Sequence, residues 1–289
     1  METLSPHLRA LHELSESIRA NDQYIPEKYP PHFSQDDPLL VSYKLTLTTY
    51  YFTQHTFIKR QNHPDEIGNN IYGDSIVVLL VPERLRNEAA TLKLIAAETT
   101  IPVPTLLGIY EENGLVHLKT SLAPNDAILL DDVDPADQET AITEVDKQIQ
   151  STILPQLRDL RRNFVGSVDV NLPVIPTASL YSPRNHQAWP RMERDAEVYN
   201  LCHNDLGPHN IFVDPLTFEI VRVIDWEYAG FFPAKFEIPL WREADQRRRH
   251  QMMRDAKKSG LVGTDGLYHE AKYGLDHQAI PKGKFASFA

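Results

Sequence analysis

A single cysteine, Cys202, stands among the 289 residues, so the chain forms no internal disulfide and no thiolate zinc cluster. That usage fits a reducing compartment, and a cytoplasmic protein is the expectation. Long apolar runs are missing as well: nowhere do about 18 such residues follow one another, which excludes a membrane-spanning helix. The opening METLSPHLRALHELSESIRA has neither the apolar core of a secretory signal nor the arginine-rich, acid-poor character of a transit peptide. Basic residues are the minority charge, 29 against 40 acidic ones for a formal charge of −11, and such a chain repels nucleic-acid backbones and anionic membrane surfaces. Glycine is sparse, 12 in all with none before Gly68, and neither G-x-G-x-x-G nor a Walker A sequence occurs. What is present, 42% apolar and 24% charged residues, is the composition of a globular protein of one or two domains with a core of its own.

Local signals divide the chain. Ser5-Pro6 opens a helix whose Leu8, Leu11, Leu14 and Ile18 recur at helical spacing. Residues 21–37, rich in Pro, Asp and Tyr, read as a connecting loop. From Leu39 to Arg60 the β-branched and aromatic residues predict two or three strands. A polar loop, QNHPDEIGNN, and a short apolar run, IVVLLV, lead to a helix from Pro82 to Thr99, closed by the extended TTIPVP. Glu112-Asn113-Gly114 marks a hairpin within Ile109–Thr120. Beyond Pro124 the period changes: Ile142, Val145, Ile149, Ile153, Leu157 and Leu160 predict one long helix over 137–163. Residues 166–196 read as an irregular excursion, and the last thirty residues as loosely held. With a hinge at Ala123-Pro124-Asn125, the expected units are an N-terminal helix and loop (1–37), a strand-rich unit (38–122) and a third unit (123–289).

The chemistry is concentrated in LCHNDLGPHNIFVDPLTFEIVRVIDWEY, residues 201–228. Two short apolar strands flank the turn Asp214-Pro215, and a hairpin brings the residue before its first strand beside the residue after its second. Asn210 and Asp225 are therefore expected to converge, with Asp205 five residues upstream of the asparagine. An amide oxygen and two carboxylates form an all-oxygen set suited to Mg²⁺. Phosphoryl transfer needs such a set: one carboxylate orients the attacking hydroxyl, and two oxygen ligands hold metal against nucleotide phosphates. Taken singly, Asp and Asn are turn-capping residues; the order and spacing of these three carry the functional reading.

His203-Asn204-Asp205-Leu206-Gly207-Pro208-His209-Asn210, followed by Val223-Ile224-Asp225-Trp226-Glu227, resembles the catalytic and metal-binding segments of the aminoglycoside phosphotransferase and choline kinase family, its large fungal branch in particular. The likeness is specific in 201–237 and weaker elsewhere. It implies an α+β, two-lobed protein-kinase-like fold with a β-rich N-lobe and a mainly helical C-lobe. It also implies an ATP- and Mg²⁺-dependent kinase that phosphorylates a hydroxyl of a small-molecule substrate. By this resemblance Asp205 is the catalytic base or hydroxyl-orienting carboxylate, His203 braces its loop, and Asn210 and Asp225 hold Mg²⁺. Trp226, Glu227 and Tyr228 open the substrate side, and the segment 119–126 meets adenine. The family further implies a strand lysine paired with a helix glutamate, and Lys59 and Glu88 stand in those places. The residues support the glutamate independently: Leu85, Glu88, Leu92 and Ile95 share one helix face, so this carboxylate lies in an apolar stripe and wants a cation.

The chain also departs from the family's pattern. No glycine occurs in Lys44–Thr56, where a phosphate-covering loop belongs, and Phe57 shares the strand face of Lys59 where protein kinases place a small residue against adenine. These departures favour an alternative, a pseudokinase-like binding or scaffold protein with weak or no phosphotransfer. Other readings are weaker. His203, Asp205 and His209 lack the spacing of a helix-borne metal motif. Cys202 and His203 are neighbours in an extended segment and point to opposite faces. Arg247-Arg248-Arg249-His250, a basic run, is hemmed by Glu243, Asp245 and Asp255.

Overall fold

In the computed structural model the described residues are 6–21, 24–69, 73, 80–175, 191–193 and 198–258. Helix α1 (Pro6–Arg19) follows its leucine spacing and docks on strand β1 (Leu39–Lys44), where Ser15 Oγ donates to Ser42 O at 2.6 Å and Arg19 reaches Ser42 Oγ at 2.5 Å. The predicted strand region resolves into three strands, β1, β2 (Thr48–Thr53) and β3 (Thr56–Gln61), paired as an antiparallel meander. After helix α2 (Val81–Glu98), strands β4 (Leu106–Glu112) and β5 (Leu115–Ser121) form the expected hairpin; Asn113 and Gly114 have φ of 54° and 72°, as its turn requires. Together they make a five-stranded sheet in the order β1-β2-β3-β5-β4. The run IVVLLV lies outside the described residues up to position 79.

Helix α2 joins the two lobes. Its Val81, Leu85 and Ala89 pack on Val116 and Leu118 of the sheet, whereas Leu92 and Ile95 belong to the larger core beyond it. That second core is built by β6 (Ile128–Leu129), α3 (Gln138–Gln148), α4 (Leu154–Asp159), β7 (Arg161–Arg162), β8 (Phe164–Ser167), β9 (Met192–Glu193), β10 (Tyr199–Cys202), β11 (Ile211–Val213), β12 (Ile220–Val223), β13 (Gly230–Phe232) and α5 (Gln246–Lys258). Short sheets in the orders β7-β10-β13-β8-β9 and β12-β11-β6 brace the helices. The two-lobed α+β arrangement expected from the resemblance, a strand-rich lobe and a second lobe that holds most of the helices, is the one observed.

The long helix predicted over 137–163 differs in detail. A π turn, Ile149–Ile153, separates α3 from α4, and the helix ends at Asp159, where β7 follows. Pro155 supplies the reason: it has no N–H for the carbonyl one turn back and its ring crowds that carbonyl, so the coil widens by one residue and Leu154 N donates to Ile149 O. The apolar face survives the change, with Ile149, Ile153 and Leu157 all buried. Much of the predicted excursion 166–196, and all of 259–289, lie outside the described residues.

Candidate active site

On β3, Lys59 faces the cleft between the lobes. Its side chain is 3% exposed, and the ammonium touches three carboxylates: Glu88 Oε2 at 3.1 Å, Asp225 Oδ1 at 2.6 Å and Glu227 Oε2 at 2.8 Å. Arg84, one turn before Glu88 on α2, pairs with Glu227 Oε1 and covers the Tyr228 ring at 4.8 Å. Three carboxylates thus face two cations, a formal excess of one negative charge when all three are ionised. Burial alone would make Lys59 less basic, but the carboxylates hold its pKa well above the ordinary value. Burial pushes Glu88 up to about 7 against the pull of Lys59. Asp225 goes the other way: burial is outweighed by Lys59, with Arg84 assisting, and its pKa is lowered.

The hairpin β11–β12 pairs Ile211 with Val223, and Ile224 N donates to Asn210 O at 2.9 Å, so Asn210 and Asp225 emerge side by side. Asn210 Nδ2 donates to Asp205 O at 2.9 Å, which sets the amide and leaves Oδ1 for the cavity this residue lines. Asn204 and Asp225 have φ of 67° and 63°, the left-handed region that side chains seldom adopt and that functional loops retain. His203 Nδ1 accepts from Asp205 N at 3.3 Å, so Nε2 carries the proton toward Ile224 O at 2.9 Å. Its ring packs on Trp226 at 4.4 Å and burial lowers its pKa, so it is a neutral brace between the two motif loops. A second brace comes from Glu237, whose carboxylate accepts from the backbone N–H of His203 at 2.5 Å and of Asn204 at 3.2 Å; burial pushes its pKa up to about 7. His209 Nε2 lies 3.5 Å from Asp205 Oδ2, and Gly207 makes room for its ring, which a Cβ would meet at 2.6 Å.

Lys59, Glu88, Asn210 and Asp225 line one cavity of about 330 Å³, walled further by Phe57 and by the segment Ser121–Asn125. His203 and Asp205 stand outside that wall, Asp205 beside it with its side chain 14% exposed. Hard oxygen donors and a charge deficit fit Mg²⁺, and an apolar cavity with a lysine at its polar end fits a nucleotide.

Two residues beyond the motif expectations belong to this arrangement, and one expectation is corrected. Glu227, expected on the substrate side, turns inward at 4% exposure and bridges Lys59 to Arg84, because a buried lysine and arginine draw the nearest carboxylate. Trp226 is core packing, its Nε1 donating to Val223 O at 3.0 Å. Arg84 was legible as the cation four residues before Glu88 on the same helix face; Glu237, as a lone carboxylate in the apolar FEIPLW. The rival sites dissolve: His203 Nε2 is committed to Ile224 O, Cys202 is buried against carbonyls with its pKa raised by burial, and Arg249 is buried on Asp131 through bonds of 2.7 and 2.8 Å.

Comparison with known proteins gives names of one kind. The chain is 38% identical over 48 residues to "Probable choline kinase 1" of Arabidopsis thaliana, a match spanning 17% of this chain and 14% of that protein. No family model matches. Among solved structures it is similar to a thermostable mutant of an aminoglycoside phosphotransferase in ternary complex with ADP and hygromycin B (14% identity, 83% of this chain and 88% of that one, TM-score 0.40). It is likewise similar to an aminoglycoside-3'-phosphotransferase of type VIII (14% identity, 91% and 96%, TM-score 0.39).

Proposed function

We propose that this chain is an ATP- and Mg²⁺-dependent phosphotransferase of the aminoglycoside phosphotransferase and choline kinase-like family, acting on a hydroxyl of a small molecule. The observation that carries the reading is the convergence on one cavity of Lys59, Glu88, Asn210 and Asp225, with a direct Lys59–Asp225 contact across 166 residues of chain. Asn210 and Asp225 would hold Mg²⁺, which when bound neutralises charge on the phosphate oxygens. Lys59, aimed by Glu88 and Glu227, holds the α- and β-phosphates of the nucleotide. Asp205 orients the acceptor hydroxyl and takes its proton as the oxygen attacks the γ-phosphorus and ADP leaves. His203 and Glu237 keep the Asp205 loop in register with the Asp225 loop.

Mg-ATP is expected to raise the melting temperature of the wild type, and Lys59→Ala to abolish that rise. Asp205→Ala should keep the rise and lose ADP release with every accepted substrate; full turnover in that variant sinks the mechanism. The turn Leu45–Leu47, three residues without glycine, favours the scaffold reading instead. A folded wild type with no thermal response to millimolar nucleotide would establish it.

A further inference from the structure

We propose that helix α1 is part of the nucleotide site, with Leu8 and Leu11 closing the apolar side of the cavity in place of a glycine-rich loop. The inference rests on the nucleotide reading of the cavity given above. Three observations lead to it. The β1–β2 turn that stands where a phosphate-covering loop belongs is only Leu45-Thr46-Leu47, and it is stapled down. Asn62, fully buried, donates through Nδ2 to Leu45 O at 2.8 Å and Thr46 O at 3.2 Å, while its backbone N–H bonds Leu47 O and Leu45 N–H bonds Thr48 O. A turn whose carbonyls are held this way, with the Leu45 N–H tied to Thr48 O, has little freedom to fold over a ligand.

Helix α1, second, is firmly seated on the outer strand of the sheet by Ser15 and Arg19 at its C-terminal half, which leaves its N-terminal half reaching over the cleft. Third, Leu8 and Leu11 from that half line the same cavity as Tyr43, Phe52, Phe57 and Lys59. Tyr50, Phe52 and Phe57 form a connected ring cluster, with centroids 5.4 and 5.0 Å apart, so the leucines face an aromatic wall suited to a flat heterocycle. The helix thus supplies by apolar contact the cover that glycine-rich loops supply by backbone hydrogen bonds.

The test is the affinity of the full chain for Mg-ADP, measured by calorimetry. Leu8→Ala combined with Leu11→Ala should weaken binding about tenfold, the scale expected for removing two partly buried leucines from a ligand wall. Leu14→Ala, on the same helix but 46% exposed, should leave it unchanged. A measurement on the wild type covers the case in which the double variant misfolds: Mg-ADP should slow amide hydrogen exchange in residues 8–14. Unchanged or tighter Mg-ADP binding in a folded double variant overturns the inference while leaving the phosphotransferase reading intact, as does α1 exchange that does not respond to bound ligand. A wild type that binds no nucleotide overturns both.

Discussion

Lys59 and Arg60 are consecutive residues of one strand, they point to opposite faces of the sheet, and both are buried ion-paired cations. Arg60 meets a single carboxylate, Glu66, at 2.6 Å, and also donates to Tyr29 O. Glu66 is in turn saturated by the backbone N–H groups of Lys28, Tyr29 and His63 at 2.6, 3.1 and 3.0 Å. That network pairs one cation with one carboxylate and, apart from Arg60 Nε, which finds no partner among the described residues, is closed by hydrogen bonds. It pins the loop before β1 and the turn after β3 to the back of the sheet. Lys59 instead meets three carboxylates, and with Arg84 the cluster has more acidic than basic groups and opens onto a cavity. A paired network does structural work; an open, unbalanced one retains a demand for positive charge that a divalent cation can meet.

The comparison can be broken by four experiments. The largest effect is expected at the open cluster. Asp225→Asn should lower turnover by about 10³ or more, on the scale of losing a charge-stabilising element in phosphoryl transfer. Because Lys59 holds Asp225 ionised in the fold, losing the charge should also lower the melting temperature modestly; a folded variant with full activity would show that the imbalance serves no chemistry. Next, Arg60→Met leaves Glu66 charged and buried without its cation. It should cost about 3–5 kcal/mol of folding stability by denaturant titration, with the turnover of folded molecules unchanged. Equal losses of stability and catalysis in both variants would erase the distinction between the two faces.

The third is a pH effect of intermediate size. Glu237 has its folded-state pKa raised from 4.5 to about 7 by burial, so the folded chain binds this proton more tightly than the unfolded one. Its stabilising contribution is complete below the unfolded value and is lost as pH rises through about 7, so melting temperature should fall across that window. In Glu237→Gln the slope between pH 5 and pH 7 should be shallower, on the order of 1–3 kcal/mol in total by linkage; an unaltered slope would assign the titration elsewhere. The smallest effect is expected from Mg²⁺ alone, which should raise the melting temperature of the wild type and leave Asp225→Asn unmoved.

Much of this architecture was legible before any coordinates. The leucine spacing of α1, the Asn113-Gly114 hairpin, and the stripe that carries Glu88 on α2 all depend on contacts within a few residues, and the structure has them where the pattern put them. The convergence of Asn210 and Asp225 was legible for the same reason, since a short hairpin fixes its own ends. Less legible was the break in the helix after α3, where periodicity continued through Pro155 and hid a change of hydrogen-bond pattern. The inward turn of Glu227 was not legible at all. Nothing local distinguishes it from a solvated acid; it is buried because Lys59 and Arg84 arrive from two other elements.

The sequence by itself determined the elements, their order and the set of oxygen and nitrogen groups available for chemistry, because strand alternation, helical period and turn preference act over a few residues. Only the tertiary structure decided how those charges are shared. Whether a carboxylate is paired, crowded or left in excess depends on which distant segments meet around it, and in a dry interior that meeting sets the local charge balance. The position of α1 over the cleft belongs to the same category: its period requires an apolar partner, and folding made that partner the wall of a cavity.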